Sequence, residues 1–252
     1  MWLTFIAVVL VSFASLIFMR PVAEKIGLVD KPNFRKRHQG LIPLIGGIAL
    51  FLGNLTFYAF QYDTMPLPGL YLLSVTILLI IGVLDDRFDI SPALRAGIQA
   101  VLAGAMIYSG LELESLGQII APFSIKLGFF SLLFTVFITI GVINAFNMVD
   151  GIDGLLAGLS SVSFAGIGVL MWINGEHAIA FWCLAIILTL IPYAMFNLSV
   201  FGAKWKVFMG DSGSTLIGFT IIWMLLLSTQ GQGHAISPIT GLWLIAVPLI
   251  DM

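Results

Sequence analysis

The sequence predicts an all-α fold, a polytopic bundle of transmembrane helices, and three observations carry that prediction. The chain of 252 residues is 60% hydrophobic and only 10% charged, where a soluble domain carries about a quarter charged residues. Apolar runs close to the 20 residues needed to cross a bilayer recur along its whole length. Ten of the eleven Lys and Arg, all but Lys126, fall on alternate connections between those runs. A transmembrane barrel would instead alternate in hydrophobicity over strands of about ten residues.

Nine spans are expected, at roughly 2–19, 41–60, 67–84, 93–110, 127–143, 155–173, 178–197, 214–229 and 238–252, with ends uncertain by a few residues. The stretch Met1-Trp2-Leu3-Thr4 lacks the positive region of a secretory signal, and the first basic residue, Arg20, follows the apolar run. A retained first span with its N-terminus outside fits that order. The first connection then holds Arg20, Lys25, Lys31, Arg35, Lys36 and Arg37, the third Arg87 and Arg95, the seventh Lys204 and Lys206. Basic residues mark cytoplasmic loops, so the odd connections face the cytoplasm. Asp85, Asp86, Asp89, Asp150, Asp153 and Asp211 all lie on those same connections or at their helix ends. An active site at the cytoplasmic face follows. No linker, repeat or low-complexity tract interrupts the pattern, and residues 1–252 read as one integral-membrane domain. The final run stops at Asp251-Met252 as it reaches the cytoplasm, which suggests a piece truncated at its C-terminus. Cys183, the single cysteine, reads as a small core hydrophobe; His177 and His234 receive no role.

Four clusters could carry chemistry. Asp85-Asp86-Arg87-Phe88-Asp89 closes the third span; on a helix Asp85 and Asp89 would share a face, and such carboxylates suit Mg²⁺. A solvated helix end before Ser91-Pro92 is the plainer reading. Asn144, Asn147, Asp150 and Asp153 recur every third residue, with Gly151 and Gly154 after the acids. Steps of three drift around a helix, so both Asn are expected on its last turn, a break at Gly151, and four converging side chains. Helix caps would explain one Asp and one Gly there, but not two Asn and two Asp. Phe208-Met-Gly-Asp211-Ser-Gly-Ser-Thr opens the eighth span, where small residues at a helix start leave N–H groups free for an anion. Asp211 beside them points to a metal bridging carboxylate and phosphate, or to an ordinary N-cap. Lys31 to His38 before Pro43 reads first as positive-inside anchoring, and second as a seat for a diphosphate or anionic head group.

Together these stretches resemble the polyprenyl-phosphate N-acetylhexosamine-1-phosphate transferase superfamily. The matching segments run Gly27 to Pro43, Leu84 to Asp89, Asn144 to Gly154 and Lys206 to Leu216, in order along essentially the whole chain. The aspartate motif has the DDxxD form of the GlcNAc branch rather than the peptidoglycan-precursor branch. The resemblance implies a bacterial inner-membrane enzyme that moves GlcNAc-1-phosphate from UDP-GlcNAc to undecaprenyl phosphate, releasing UMP and starting O-antigen-type glycans. It implies Mg²⁺, with Mn²⁺ as a substitute, held by Asp211 and Asn147. Asp85 or Asp86 would act on the lipid phosphate as base or orienting group, and Asp150 and Asp153 would order nucleotide or metal. Asn144, Asp89, Lys36 and Arg37 would contact substrate, with Phe208 stacked on uracil. The lipid bilayer is the remaining partner; a homodimer is admissible, and no nucleic acid is implied. The family has ten or eleven spans and a His-rich loop after the ninth, which this chain does not reach. Two other readings stay open: another UDP-N-acetylhexosamine as donor, or a proton-coupled transporter. The transporter would place acids near mid-span.

Overall fold

A computed structural model describes residues 1–31, 40–120, 123–230 and 235–252. Its helices follow the apolar runs: α1 Trp2–Ile26, α2 Gly46–Gln61, α3 Pro68–Phe88, α4 Pro92–Tyr108, α5 Ser131–Val149, α6 Leu155–Ile173, α7 His177–Asn197 and α8 Gly210–Thr229, then the short α9 Pro238–Leu244 and α10 Ala246–Asp251. Six of them, α1, α3, α5, α6, α7 and α8, are long and apolar enough to cross a membrane. Helices satisfy their own backbone hydrogen bonds, which lipid cannot do. Many large apolar side chains therefore remain exposed on the outer helices, among them Phe18, Val101, Phe137 and Val162.

Some boundaries differ from the expected ones for local reasons. α1 runs seven residues past its apolar run and ends at Gly27, whose left-handed backbone (φ 71°) lets Leu28 N–H reach back to Ala23 O at 2.8 Å. The expected ninth span is broken into α9 and α10. Pro248, three residues into α10, has no N–H to give to the carbonyl of Leu244. The connection after α4 contains an antiparallel pair, β3 Ser115–Ile120 and β4 Phe123–Lys126, which the hydropathy pattern did not reveal. Gln230, just past α8, holds it: its amide oxygen accepts from the N–H groups of Glu114 (3.0 Å) and Ser115 (3.1 Å).

α8 is the hub. It is buried along nearly its entire length and is packed against α2, α3, α5 and α6. Small residues make these approaches close. A β-carbon on Gly82 of α3 would collide with the backbone of Ser212, and one on Gly47 of α2 with the backbone of Gly213. Gly218 meets α5, where a β-carbon would lie 2.7 Å from the Cα of Ile143. Farther along, a polar ladder crosses the apolar interior. Trp182 of α7 donates to Asn54 of α2 (3.0 Å), Asn54 donates to the Tyr71 hydroxyl of α3 (2.9 Å), and that hydroxyl bonds Thr220 of α8 (2.8 Å).

At the end of the bundle where α8 begins, backbone bonds tie three segments together. β1 Val29–Asp30 pairs antiparallel with β2 Ile42–Pro43. Phe208 N–H then donates to Pro43 O (3.0 Å), while Gly46 and Gly47 N–H donate to the carbonyls of Phe208 (3.0 Å) and Met209 (3.1 Å). The strap before α8 is therefore fixed to the start of α2, and with it the first residues of α8.

Candidate active site

The ends of α3, α5 and α7, the start of α8 and the β1–β2 strands surround a cavity of about 740 Å³. Its wall includes Asp30, Asp85, Asp86, Asp89, Asn147, Asp150, Asp153, Lys206, Phe208 and Asp211. Most of the acids singled out in the sequence thus meet at one end of one bundle.

The turn between α3 and α4 is built by its own residues. Asp89 takes a left-handed backbone (φ 56°) and closes α3, its N–H on Asp85 O at 2.9 Å. Ser91 caps α4 through Leu94 N–H, with Pro92 at the first helical position. This reversal brings Arg95 back onto Asp85. The buried Asp85 carboxylate accepts from Ile90 N–H at 2.8 Å and from Arg95 Nη1 at 2.5 Å. The same Nη1 lies 3.1 Å from Asp211 Oδ2, so one guanidinium joins carboxylates from α3 and α8. Asp89 lies beyond the helix, which removes the shared face with Asp85 that the sequence suggested.

Asp211 is held on its other side by α5. Asn147 Nδ2 reaches Asp211 Oδ1 at 2.7 Å and Ser214 Oγ at 2.8 Å. The break expected after α5 is present: the helix ends at Val149, and Gly154 (φ 75°) starts α6. Full convergence of the four polar side chains is not. Asn144 sits one turn back from Asn147, bonded to Gln99 (3.3 Å) and to Ile140 O (2.8 Å), and does not line the cavity. Asp153 pairs with Lys206 Nζ at 2.5 Å, and that ammonium lies 5.4 Å from the centre of the Phe208 ring. Asp150 lines the cavity.

The start of α8 also departs from expectation. The N–H groups of Asp211 and Ser212 are not open to an incoming anion, because Asp86 already occupies them. Asp86 Oδ1 accepts from Asp211 N–H at 2.7 Å and Oδ2 from Ser212 N–H at 3.3 Å. A carboxylate from a neighbouring helix thus meets the positive end of the α8 dipole. Lys36 and Arg37 lie outside the described residues.

Two residues of this site carry no motif. Arg95 looked in the sequence like one more cytoplasmic anchor. Asn197 ends an apolar helix without comment, yet it is buried and bonds the α5–α6 and α7–α8 loops: its Oδ1 accepts from Gly154 N–H (2.6 Å) and its Nδ2 donates to Val207 O (3.0 Å). A lone Asn closing an apolar helix was the one available signal.

Among the described residues no three His, Cys, Asp or Glu side chains converge as a ready cage for a metal. The oxygen donors nonetheless suit a hard divalent ion, which is held by one or two carboxylates together with waters and substrate phosphates. Oxygens of Asp85 and Asp211 converge on one point of positive charge, now the Arg95 nitrogen.

Apolar helices long enough to span a bilayer, with a carboxylate-lined cavity at their ends, define a membrane protein with a polar site facing one surface. Comparison with known proteins specifies the class. Residues 69–229 match the model of glycosyl transferase family 4. A Haemophilus influenzae protein named undecaprenyl-phosphate alpha-N-acetylglucosaminyl 1-phosphate transferase is 62% identical over 243 residues, covering 96% of this chain and 68% of that one. Proteins of the same name from Pasteurella multocida (62% identity, 100% and 71% covered) and Escherichia coli K12 (54%, 98% and 68%) are similar too. The chain belongs to glycosyl transferase family 4.

Proposed function

We infer that the chain transfers GlcNAc-1-phosphate from UDP-GlcNAc to undecaprenyl phosphate. The observation that carries this reading is the cavity-lining trio Asp85, Asp211 and Asn147, with Arg95 bonded to both acids, in a chain 54–62% identical to proteins bearing that activity in their names. An oxygen of the lipid phosphate attacks the sugar-bearing phosphorus. A new P–O–P linkage forms, the old phosphoanhydride bond breaks, and UMP leaves. Such chemistry needs positioning and charge neutralisation more than a strong base, since a phosphomonoester is already mostly dianionic at neutral pH.

The residues divide that work. Arg95 supplies a planar pair of donors that can move from carboxylate to phosphate oxygens. Asp85 holds Arg95 and orients the lipid phosphate beside it. Asp211 would hold Mg²⁺ or Mn²⁺, with Asn147 as second ligand once its amide turns its oxygen inward. When bound, the ion neutralises the developing charge on the diphosphate. Lys206 and Asp153 stand beside Phe208, where a uracil ring can stack, and Asp150 orders the nucleotide from the α5–α6 loop. The inner membrane suits both substrates, and the basic connections support a cavity on its cytoplasmic side with the N-terminus outside. α2, α4 and the broken α9–α10 segment would complete nine passes.

The test is an assay of purified protein with radiolabelled UDP-GlcNAc, UDP-GalNAc and undecaprenyl phosphate. Label should enter the lipid with release of UMP, fastest from UDP-GlcNAc and only with divalent ion present. No transfer from any donor would overturn the reading, and a preference for UDP-GalNAc would change the sugar.

A further inference from the structure

Asp86 stands next to Asp85 in sequence, yet the two carboxylates do different things. Asp85 faces Arg95, the cation it shares with Asp211. Asp86 turns the other way and takes the two backbone N–H groups of Asp211 and Ser212. The fold makes room for it there. Gly210 has a left-handed backbone (φ 75°), and a β-carbon on it would lie 2.5 Å from Asp86 Oδ2. Gly82, one turn before Asp86 on α3, lets that helix press directly on Ser212.

We propose that Asp86 is a positioning residue, which caps α8 from α3 and thereby sets where the Asp211 carboxylate stands. This rests on the transferase reading above. Three bonds from other helices fix Asp211: Asp86 at its backbone N–H, Asn147 at Oδ1 and Arg95 at Oδ2. Removal of the first takes away the tie from α3 to the helix end on which the other two converge, leaving only the tie to α2. The helix start also lies against α2 through Gly47, backbone on backbone, so Asp86 sets its position on the α3 side. Asp86 acts on the reaction through Asp211 and exchanges no proton with substrate.

Asp86→Asn and Asp86→Ala separate a cap from a base. An Asn oxygen keeps the 2.7 Å bond from Asp211 N–H, so Asp86→Asn should retain kcat within about tenfold of the parent, as expected when half of a cap survives. Its rate against pH should run parallel to that of the parent. Asp86→Ala should fall by about a hundredfold, the scale of a misplacement near 1 Å, and should melt at lower temperature in detergent than Asp86→Asn. Equal collapse of both variants, with loss of the acidic limb of the pH profile in Asp86→Asn, would overturn the proposal in favour of a base. An Asp86→Ala protein that works or melts like the parent would overturn it as well. If the parent itself transfers nothing, the transferase reading fails separately, and the order of melting temperatures still tests the cap.

Discussion

Gly218→Ala is the sharpest test of how the interior sets the site. The added β-carbon would lie 2.7 Å from the Cα of Ile143 and 3.0 Å from the carbonyl oxygen of Val142, where ordinary contact begins near 3.4 Å. Both neighbours are backbone, so no side chain can swing aside, and α5 and α8 must separate by about 0.7 Å to restore contact. Overpacking of this kind costs about 1–3 kcal/mol. The effect on activity follows from geometry. Ile143 lies one turn before Asn147 on α5, and Gly218 lies two turns after Asp211 on α8. If the separation is carried to the helix ends, the 2.7 Å bond between Asn147 and Asp211 lengthens to about 3.4 Å, beyond useful hydrogen bonding. The variant should melt several degrees lower in detergent, and its UMP release should fall about ten- to a hundredfold. Unchanged melting with unchanged turnover would show that α5 and α8 are not held by this contact, and the argument from close packing would fail.

Three further outcomes follow from other parts of the site. Arg95→Ala leaves the carboxylates of Asp85 and Asp211 facing each other without their shared cation, and turnover should drop by about a hundredfold or more; Arg95→Lys should recover only a part, since an ammonium cannot reproduce the planar fork. Tyr71→Phe removes the hydroxyl between Asn54 and Thr220, and a detergent melt should show a loss of about 1–3 kcal/mol for the donor left unpaired. Chelation with EDTA should stop UMP release and added Mg²⁺ should restore it, as followed by a coupled nucleotide assay; persistence of full turnover in EDTA would remove the metal from the mechanism.

Hydropathy made the helices legible because a span must supply about twenty apolar residues in a row. It could not show the break at Ile245, which turns on the single missing N–H of Pro248, nor the β3–β4 pair, whose strands are too short to leave a period. The polar motifs announced the site because acids near lipid are costly. What they could not announce was partnership. Asp85 and Asp86 are adjacent and look alike, but one meets a guanidinium ten residues on and the other the backbone 125 residues away. Arg95 hid among the anchoring charges for the same reason, since local pattern carries no record of which distant group a side chain will face. Asn144 and Asn147 share a spacing, yet helix rotation sends one into the cavity and the other toward Gln99.

The burial of α8 also has a meaning for biogenesis. Of the six helices long enough to span, it is the least apolar and the most enclosed, and Ser212, Ser214, Thr215, Thr220, Ser228 and Thr229 are all buried along it. Lipid is a poor host for such a segment, whereas a cleft among helices already in place can offer it bonds such as those from Asn147 and Tyr71. α2, α3, α5 and α6 all precede it in the chain, so during synthesis the cleft can be waiting when α8 emerges. Membrane entry of this helix and assembly of the carboxylate-lined cavity would then be one event, and a ribosome paused before Gly210 would hold a chain with a polar groove and an unfinished cavity wall.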